Sequence, residues 1–81
     1  MERELTPEQA VQDFIDNVLP HLFEGESRYR NKRYNRIKQL EYALQGRGKK
    51  KFSATWAEAV LSEFAPDRYR MEQHVVFYIK E

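Results

Sequence analysis

Residues 69–80 read Tyr-Arg-Met-Glu-Gln-His-Val-Val-Phe-Tyr-Ile-Lys, and the period of this segment decides the fold class. The odd positions are apolar except Gln73, whereas most even positions are polar, which is the alternation expected of a half-buried β-strand. The run from Val75 to Tyr78 also has a high strand propensity. Because helical patterns precede this segment, the sequence predicts a mainly α protein with a C-terminal β-strand, an α+β fold.

A helix that places Met71, Val75 and Ile79 on one face is the alternative for the same segment. If the segment is a strand, it needs a partner for its backbone N–H and C=O groups. That partner is either a short segment near residues 50–54 or the equivalent strand of a second molecule. The second arrangement predicts a homodimer whose self-association residues are Met71, Val75, Val76, Phe77, Tyr78 and Ile79.

The first helix has the clearest start signal in the chain. Thr6 and Gln9 form a capping-box pattern, and Pro7 occupies the first helical position, where proline is well tolerated. Apolar residues then recur at helical spacing. Pro20 is expected to end or kink this helix, and Gly25 is expected to end one further turn.

Two more helices are expected before the C-terminal segment, with the ranges 26 or 27 to 45 and 53 or 55 to 64. Residues 46–52 form a basic, flexible connector between them. The three-helix domain has a predicted core of apolar residues at helical spacing: Val11, Phe14, Ile15, Val18, Leu22, Ile37, Leu40, Leu44, Trp56, Val60, Leu61 and Phe64.

Length and composition indicate one packed domain, residues 1–81. Of the 81 residues, 41% are hydrophobic and 14% are aromatic, which is too many for a disordered chain. The absence of cysteine excludes disulfides and thiol catalysis. No stretch reaches about 18 apolar residues and the N-terminus opens with charged residues, so we expect no membrane association and a cytoplasmic location.

Charge is distributed unevenly along the chain. Ten basic residues and a single acid, Glu41, lie between Arg28 and Lys51, whereas the rest of the chain has four basic and twelve acidic residues. The chain therefore has a basic centre between acidic ends. A field of one sign over a helix and its following connector attracts polyanions.

The main functional hypothesis is that the second helix and the connector bind DNA or RNA. Arginine forks onto a phosphate and lysine meets it as a point charge, while tyrosine rings offer faces on which bases stack. Such binding is non-catalytic and suits a regulatory protein. The candidate nucleic-acid-binding residues are Arg28, Lys32, Arg36, Lys38, Tyr42, Arg47, Lys49, Lys50 and Lys51.

Two other interpretations of the basic centre stay open. In the first, the basic face or the C-terminal strand contacts an acidic protein surface, and the protein inhibits or adapts a larger complex. In the second, the basic face is only solvated. The sequence has no RNP aromatic pattern, no GxxG loop of the KH type and no Cys/His finger that would favour one hypothesis over another.

Patterns for catalysis and metal binding are lacking in the sequence. His21 and His74 are isolated, and neither has a second histidine or a cysteine three or four residues away. Asp13 and Asp16 have no nearby nucleophilic or cationic partner of the kind that an acid–base pair needs. We therefore predict that the protein is not an enzyme and has neither a metal nor a cofactor.

Overall fold

A computed structural model describes residues 2–25, 31–72 and 76–80. In these ranges the chain is an α+β domain, as predicted, with four helices and one antiparallel sheet. None of the helices in the same ranges combines the length and the apolarity that a membrane span needs. The elements are β1 (Glu2–Leu5), α1 (Pro7–Asn17), α2 (Leu19–Leu22), α3 (Lys32–Leu44), α4 (Ala54–Phe64), β2 (Tyr69–Glu72) and β3 (Val76–Lys80).

The three strands are arranged in the order β1-β3-β2, so β3 is the central strand. Leu5 of β1 pairs with Phe77 of β3, and Tyr69 of β2 pairs with Ile79 of β3. All four of these side chains are buried. One face of the sheet therefore closes the hydrophobic core, with α1 lying against β3.

The single C-terminal strand that we predicted is in fact two strands, and the helical alternative is wrong. β2 and β3 lie on either side of residues 73–75 and pair antiparallel, with Met71 opposite Phe77. In this register odd residues of β2 face odd residues of β3, so both strands turn their odd residues to one face of the sheet. One long strand and two antiparallel strands in this register therefore have the same alternation of apolar and polar residues in the sequence.

Both sides of β3 are paired within the chain, which corrects the predicted strand partners. Residues 50–53 form no strand, and Ala54 begins α4, so a strand at residues 50–54 is wrong. The homodimer was predicted because the strand needed a partner, and β1 and β2 supply that partner instead. Homodimerisation itself stays a prediction.

The helix starts are determined by side-chain caps. Thr6 Oγ1 accepts a hydrogen bond from the Gln9 N–H at 3.1 Å and Gln9 Oε1 accepts one from the Thr6 N–H at 3.0 Å, which confirms the capping box. Ser53 Oγ accepts from the Trp56 N–H at 3.1 Å and confirms the earlier of the two predicted starts of α4. α2 is the predicted further turn around Pro20.

The start of α3 differs from the prediction at residue 26 or 27. Asn31 has an extended backbone, with φ −82° and ψ 114°, so no helix continues through this residue. Its Oδ1 accepts from two backbone N–H groups of the first turn at 2.9 and 3.1 Å. The helix consequently begins five or six residues later than expected, at Lys32.

The core predicted from the helices is largely confirmed. Phe14, Ile37, Leu40 and Leu61 are completely buried, whereas Trp56 is only partly buried. Helical periodicity did not find the apolar residues that the strands and the short segments contribute. These residues are Leu5, Leu19, Phe23, Tyr69, Phe77 and Ile79.

A carboxylate of α1 holds the start of β2 in place. Asp13 accepts hydrogen bonds from Arg68 Nε at 3.0 Å, from Arg68 Nη2 at 3.2 Å and from the Tyr69 hydroxyl. Asn17 Nδ2 donates to the same carboxylate at 2.8 Å. The prediction that Asp13 has no cationic partner is therefore wrong, because Arg68 lies more than fifty residues away in the sequence and no local pattern shows the pair.

The topology predicts the pattern of hydrogen exchange. We expect the amides of β3 to exchange more slowly than those of the edge strands β1 and β2, because β3 is hydrogen-bonded on both sides. Exchange measured by NMR at two protein concentrations checks this. Protection of β3 that appears only at the higher concentration would contradict pairing within the chain and would restore the homodimer.

Candidate nucleic-acid interface

One face of α3 carries a row of polar side chains. Lys32, Arg36 and Gln39 follow each other at intervals of four and three residues, which places them on one side of the helix. All three are exposed. On the opposite side, Ile37 and Leu40 are completely buried in the core. The buried side determines the orientation of the helix, and so presents the polar row to solvent.

The connector after α3 folds back along the end of the helix. Gly46 has φ +74°, a left-handed conformation that glycine adopts without strain, and it ends the helix. The N–H groups of Arg47 and Gly48 then donate to the carbonyl of Tyr42 at 2.8 and 3.3 Å. Phe52 packs against the core at the far end of the connector. These anchors leave the exposed residues 49–51 between them.

The connector brings Lys50 to a cleft between α3 and α4. The cleft has a volume of about 260 Å³ and is lined by Arg36, Gln39, Lys50 and Trp56. The Lys50 ammonium lies 6.0 Å from the centroid of the Trp56 ring system. Trp56 is partly buried, because it packs against the core and also lines the cleft.

Arg36 is held at the mouth of this cleft by a residue of α4. Its Nη1 donates to both carboxylate oxygens of Glu63, at 2.7 and 2.9 Å. Within the part of the chain that the structure describes, Nε and Nη2 of Arg36 make no hydrogen bond. A guanidinium has five N–H donors, so the ion pair orients the group and leaves donors for a further anion.

The predicted cations differ in their surroundings. Lys32, Lys49 and Lys51 are exposed and make no ion pair with any described residue. The ammonium of Lys38 is paired with Glu41, and this hydrogen bond raises the pKa of Lys38 above its ordinary value. Lys38 is therefore engaged within its own helix and is less available to a ligand.

Tyr42 is a packing partner for two of the candidate cations. Its ring centroid lies 5.5 Å from Lys38 Nζ and 5.4 Å from the guanidinium carbon of Arg47. Arg47 also donates from Nη1 to Gln45 Oε1 at 3.1 Å. These contacts form a separate cluster at the end of α3, outside the set of residues that line the cleft. Arg28 lies outside the described residues.

The predicted self-association residues whose side chains the structure describes, Met71, Phe77, Tyr78 and Ile79, do not form an exposed apolar face. Phe77 and Ile79 are buried, and Met71 is partly buried against the core. On the other face of the sheet, Tyr78 lies under Arg70, whose guanidinium carbon is 4.1 Å from the ring centroid. Val75 lies outside the described residues, and the structure describes Val76 only by its place in β3.

Arg70 covers the outer face of the sheet with charge. Its Nη2 donates to Glu2 Oε1 at 2.8 Å, and its Nη1 donates to Glu72. Glu2 belongs to β1 and Arg70 to β2, so this ion pair crosses the central strand. An ionic cluster on this face is a solvated surface and gives no support to an apolar contact with a second molecule.

Sequence reasoning did not assign Trp56 and Gln39 to the site. Trp56 was placed in the core because it lies next to the apolar stripe of α4 formed by Ala57, Val60, Leu61 and Phe64. At 3.6 residues per turn it lies about 90° from the middle of that stripe, which is the signal that could have identified it. Gln39 has no such signal, since only the packing of α3 on α4 brings it to the ring.

The side chains that line the cleft suit binding. An aromatic ring, an amide and two cations recognise a planar group and a negative charge, through stacking, hydrogen bonds and ion pairs. No group of three His, Asp or Glu side chains in residues 2–25, 31–72 and 76–80 is placed to hold a metal ion.

In comparisons with known proteins, the chain matches no family model, no curated protein and no solved structure.

Proposed function

We propose that the protein binds nucleic acid, without catalysis and in a regulatory role, through one basic surface. This basic surface consists of Lys32, Arg36, Lys49, Lys50 and Lys51. The observation that carries the proposal is that Arg36 and Lys50 line one cleft, while Lys49 and Lys51 flank Lys50 in the sequence and Lys32 lies one turn from Arg36 on α3.

Electrostatics favours a polyanion as the ligand of this surface. Four of its five cations, all except Arg36, make no ion pair with a described residue, so binding does not have to break ion pairs within the protein at those positions. Each phosphate that they neutralise releases condensed counterions, which is the main source of sequence-independent affinity. Phosphate contacts of this kind position a protein on nucleic acid without reading sequence.

Two lysines on α3 offer a matched test of the basic surface. We expect Lys32→Ala to weaken binding to all sequences by a similar factor and to reduce the slope of log K against log salt by about 0.9 on duplex DNA. Lys38→Ala removes the same charge from the same helix, but Lys38 is paired with Glu41, so we expect little change in the slope. Fluorescence anisotropy with labelled duplex DNA, single strands and RNA at several salt concentrations measures both.

The pair of variants also separates a direct contact from a general effect of net charge. Equal losses in Lys32→Ala and Lys38→Ala would contradict the specific role of Lys32. No measurable binding of the wild-type protein to any of the probes at low salt would contradict the proposed function itself. That result would favour the alternative, in which the same cations recognise an acidic protein surface.

A further inference from the structure

We propose that the cleft of Arg36, Gln39, Lys50 and Trp56 binds one unpaired base of a single-stranded nucleic acid, with the base stacked on the Trp56 indole. This inference rests on the proposed function and adds the class of nucleic acid to it. It is carried by the combination of a partly exposed indole, an amide and two cations in one small cleft.

The size of the cleft agrees with a single planar group. Sites for whole small-molecule ligands have volumes of about 300–1,000 Å³, and this cleft, at about 260 Å³, lies just below that range. A base within a duplex has both ring faces covered by its neighbours and exposes only its edges in the grooves. Stacking on Trp56 therefore requires a base that is unpaired and turned out of its stack.

The contact between Lys50 and Trp56 is one that a nucleotide can replace. At 6.0 Å from the ring centroid, the ammonium is at the outer limit of a cation–π interaction, where the attraction is weak. A base that stacks on the indole displaces the Lys50 ammonium from the ring. The ammonium can then form an ion pair with the phosphate next to that base. The ion pair between the Lys50 ammonium and the phosphate is stronger than the cation–π interaction that it replaces.

Gln39 and Arg36 complete the contacts of one nucleotide. The Gln39 amide has both a donor and an acceptor, so it can hydrogen-bond the exposed edge of any base. Arg36 keeps its Nη1 on Glu63 and has Nε and Nη2 without a partner among the described residues, which suits a phosphate on the other side of the base. This set of groups predicts preference for single strands with little preference for sequence.

Trp56 is the only tryptophan in the chain, so its fluorescence reports this cleft alone. We expect oligothymidylate and oligouridylate to quench the fluorescence, whereas an abasic oligomer of equal length binds through its phosphates without comparable quenching. Oligodeoxyuridylate and oligouridylate carry the same base, so a stronger effect of one of these two oligomers assigns the preferred sugar, DNA or RNA. Equal quenching by the abasic oligomer would overturn the inference, because phosphates alone would then explain the signal.

Two substitutions of the ring test its role in affinity. We expect Trp56→Leu to lose on the order of tenfold in affinity for the single strands, with an unchanged affinity for duplex DNA and an unchanged salt slope. Trp56→Phe retains an aromatic face and is expected to lose much less. Circular dichroism of both variants checks that the fold is intact.

The outcomes separate this inference from the proposed function. If Trp56→Leu binds single strands as tightly as the wild type, the stacked base is wrong, while binding to the basic surface still stands. If the wild type binds neither single strands, abasic oligomers nor duplex DNA, the proposed function fails and the inference fails with it.

Discussion

We expect Phe77→Ala to remove a large part of the stability of this domain. Phe77 is completely buried on the central strand, and Phe→Ala substitutions in cores cost about 3–5 kcal/mol through lost burial and the cavity left behind. A domain of 81 residues has a free energy of unfolding on the order of 4–12 kcal/mol, at roughly 0.05–0.15 kcal/mol per residue. Urea unfolding followed by circular dichroism measures the loss.

The adjacent residue provides a control for this substitution. Tyr78 lies on the opposite face of the same strand, partly exposed under Arg70, so we expect Tyr78→Ala to cost clearly less than Phe77→Ala. Equal costs for the two variants would show that the sheet does not close the core on the Phe77 side.

Trp56 is also only partly buried, so Trp56→Ala is expected to cost less than the full core value.

The second large effect is expected at Asp13. Asp13→Ala leaves the buried Tyr69 hydroxyl without its acceptor, which costs about 1–3 kcal/mol. Asp16 lies three residues further along the same helix, is exposed, and receives a hydrogen bond from Gln12 at 3.0 Å. Asp16→Ala is therefore expected to stay within about 0.5 kcal/mol of the wild type. Chemical denaturation at neutral pH compares the two.

The same cluster makes stability depend on pH in a predictable direction. Partial burial alone would raise the pKa of the Asp13 carboxyl, but the hydrogen bonds from Arg68, Tyr69 and Asn17 outweigh it and lower the pKa below 3.8. A carboxyl with a lowered pKa in the folded state stabilises the fold above its unfolded pKa, and this stabilisation is lost as the pH falls below that value. Asp13→Asn is expected to remove this part of the acid sensitivity.

At alkaline pH, ionisation of the Tyr69 phenol lowers the stability of the fold as the pH rises. Burial and the hydrogen bond to Asp13 raise the pKa of Tyr69 above its ordinary value of 10.0. The folded state therefore favours the neutral phenol, and its stabilisation is complete below pH 10 and is lost as the pH rises further. Thermal melts between neutral and alkaline pH check this, and Tyr69→Phe should flatten the alkaline part of the curve.

Local signals in the sequence were enough for the helices that carry their own caps. The capping box at Thr6 and Gln9 and the cap at Ser53 act within four residues, so the start of α1 was predicted correctly and that of α4 was one of two predicted positions. Asn31 is an equally local cap, but it was passed over in favour of a longer helix. The apolar stripes also identified most of the core, because a buried face repeats with the helical period.

The sheet and the site depended on contacts that no local pattern encodes. β1 has only one apolar residue, Leu5, and becomes a strand because β3 pairs with it across more than seventy positions. The alternation at the C-terminus could not distinguish one strand from a hairpin, since the observed register keeps the odd residues on one face. Predictions about strand partners failed for this reason.

The sequence by itself determined the fold class, the helical core and the concentration of positive charge between Arg28 and Lys51, because these follow from composition and short-range periodicity. Only the tertiary structure decided which cations line a cleft and which are engaged in ion pairs. The packing of α3 on α4 brings Arg36 and Gln39 beside Trp56, while the ion pair with Glu41 engages Lys38 on the same helix. Whether a cation is available to a ligand depends on its neighbours in space, and those neighbours come from different parts of the chain.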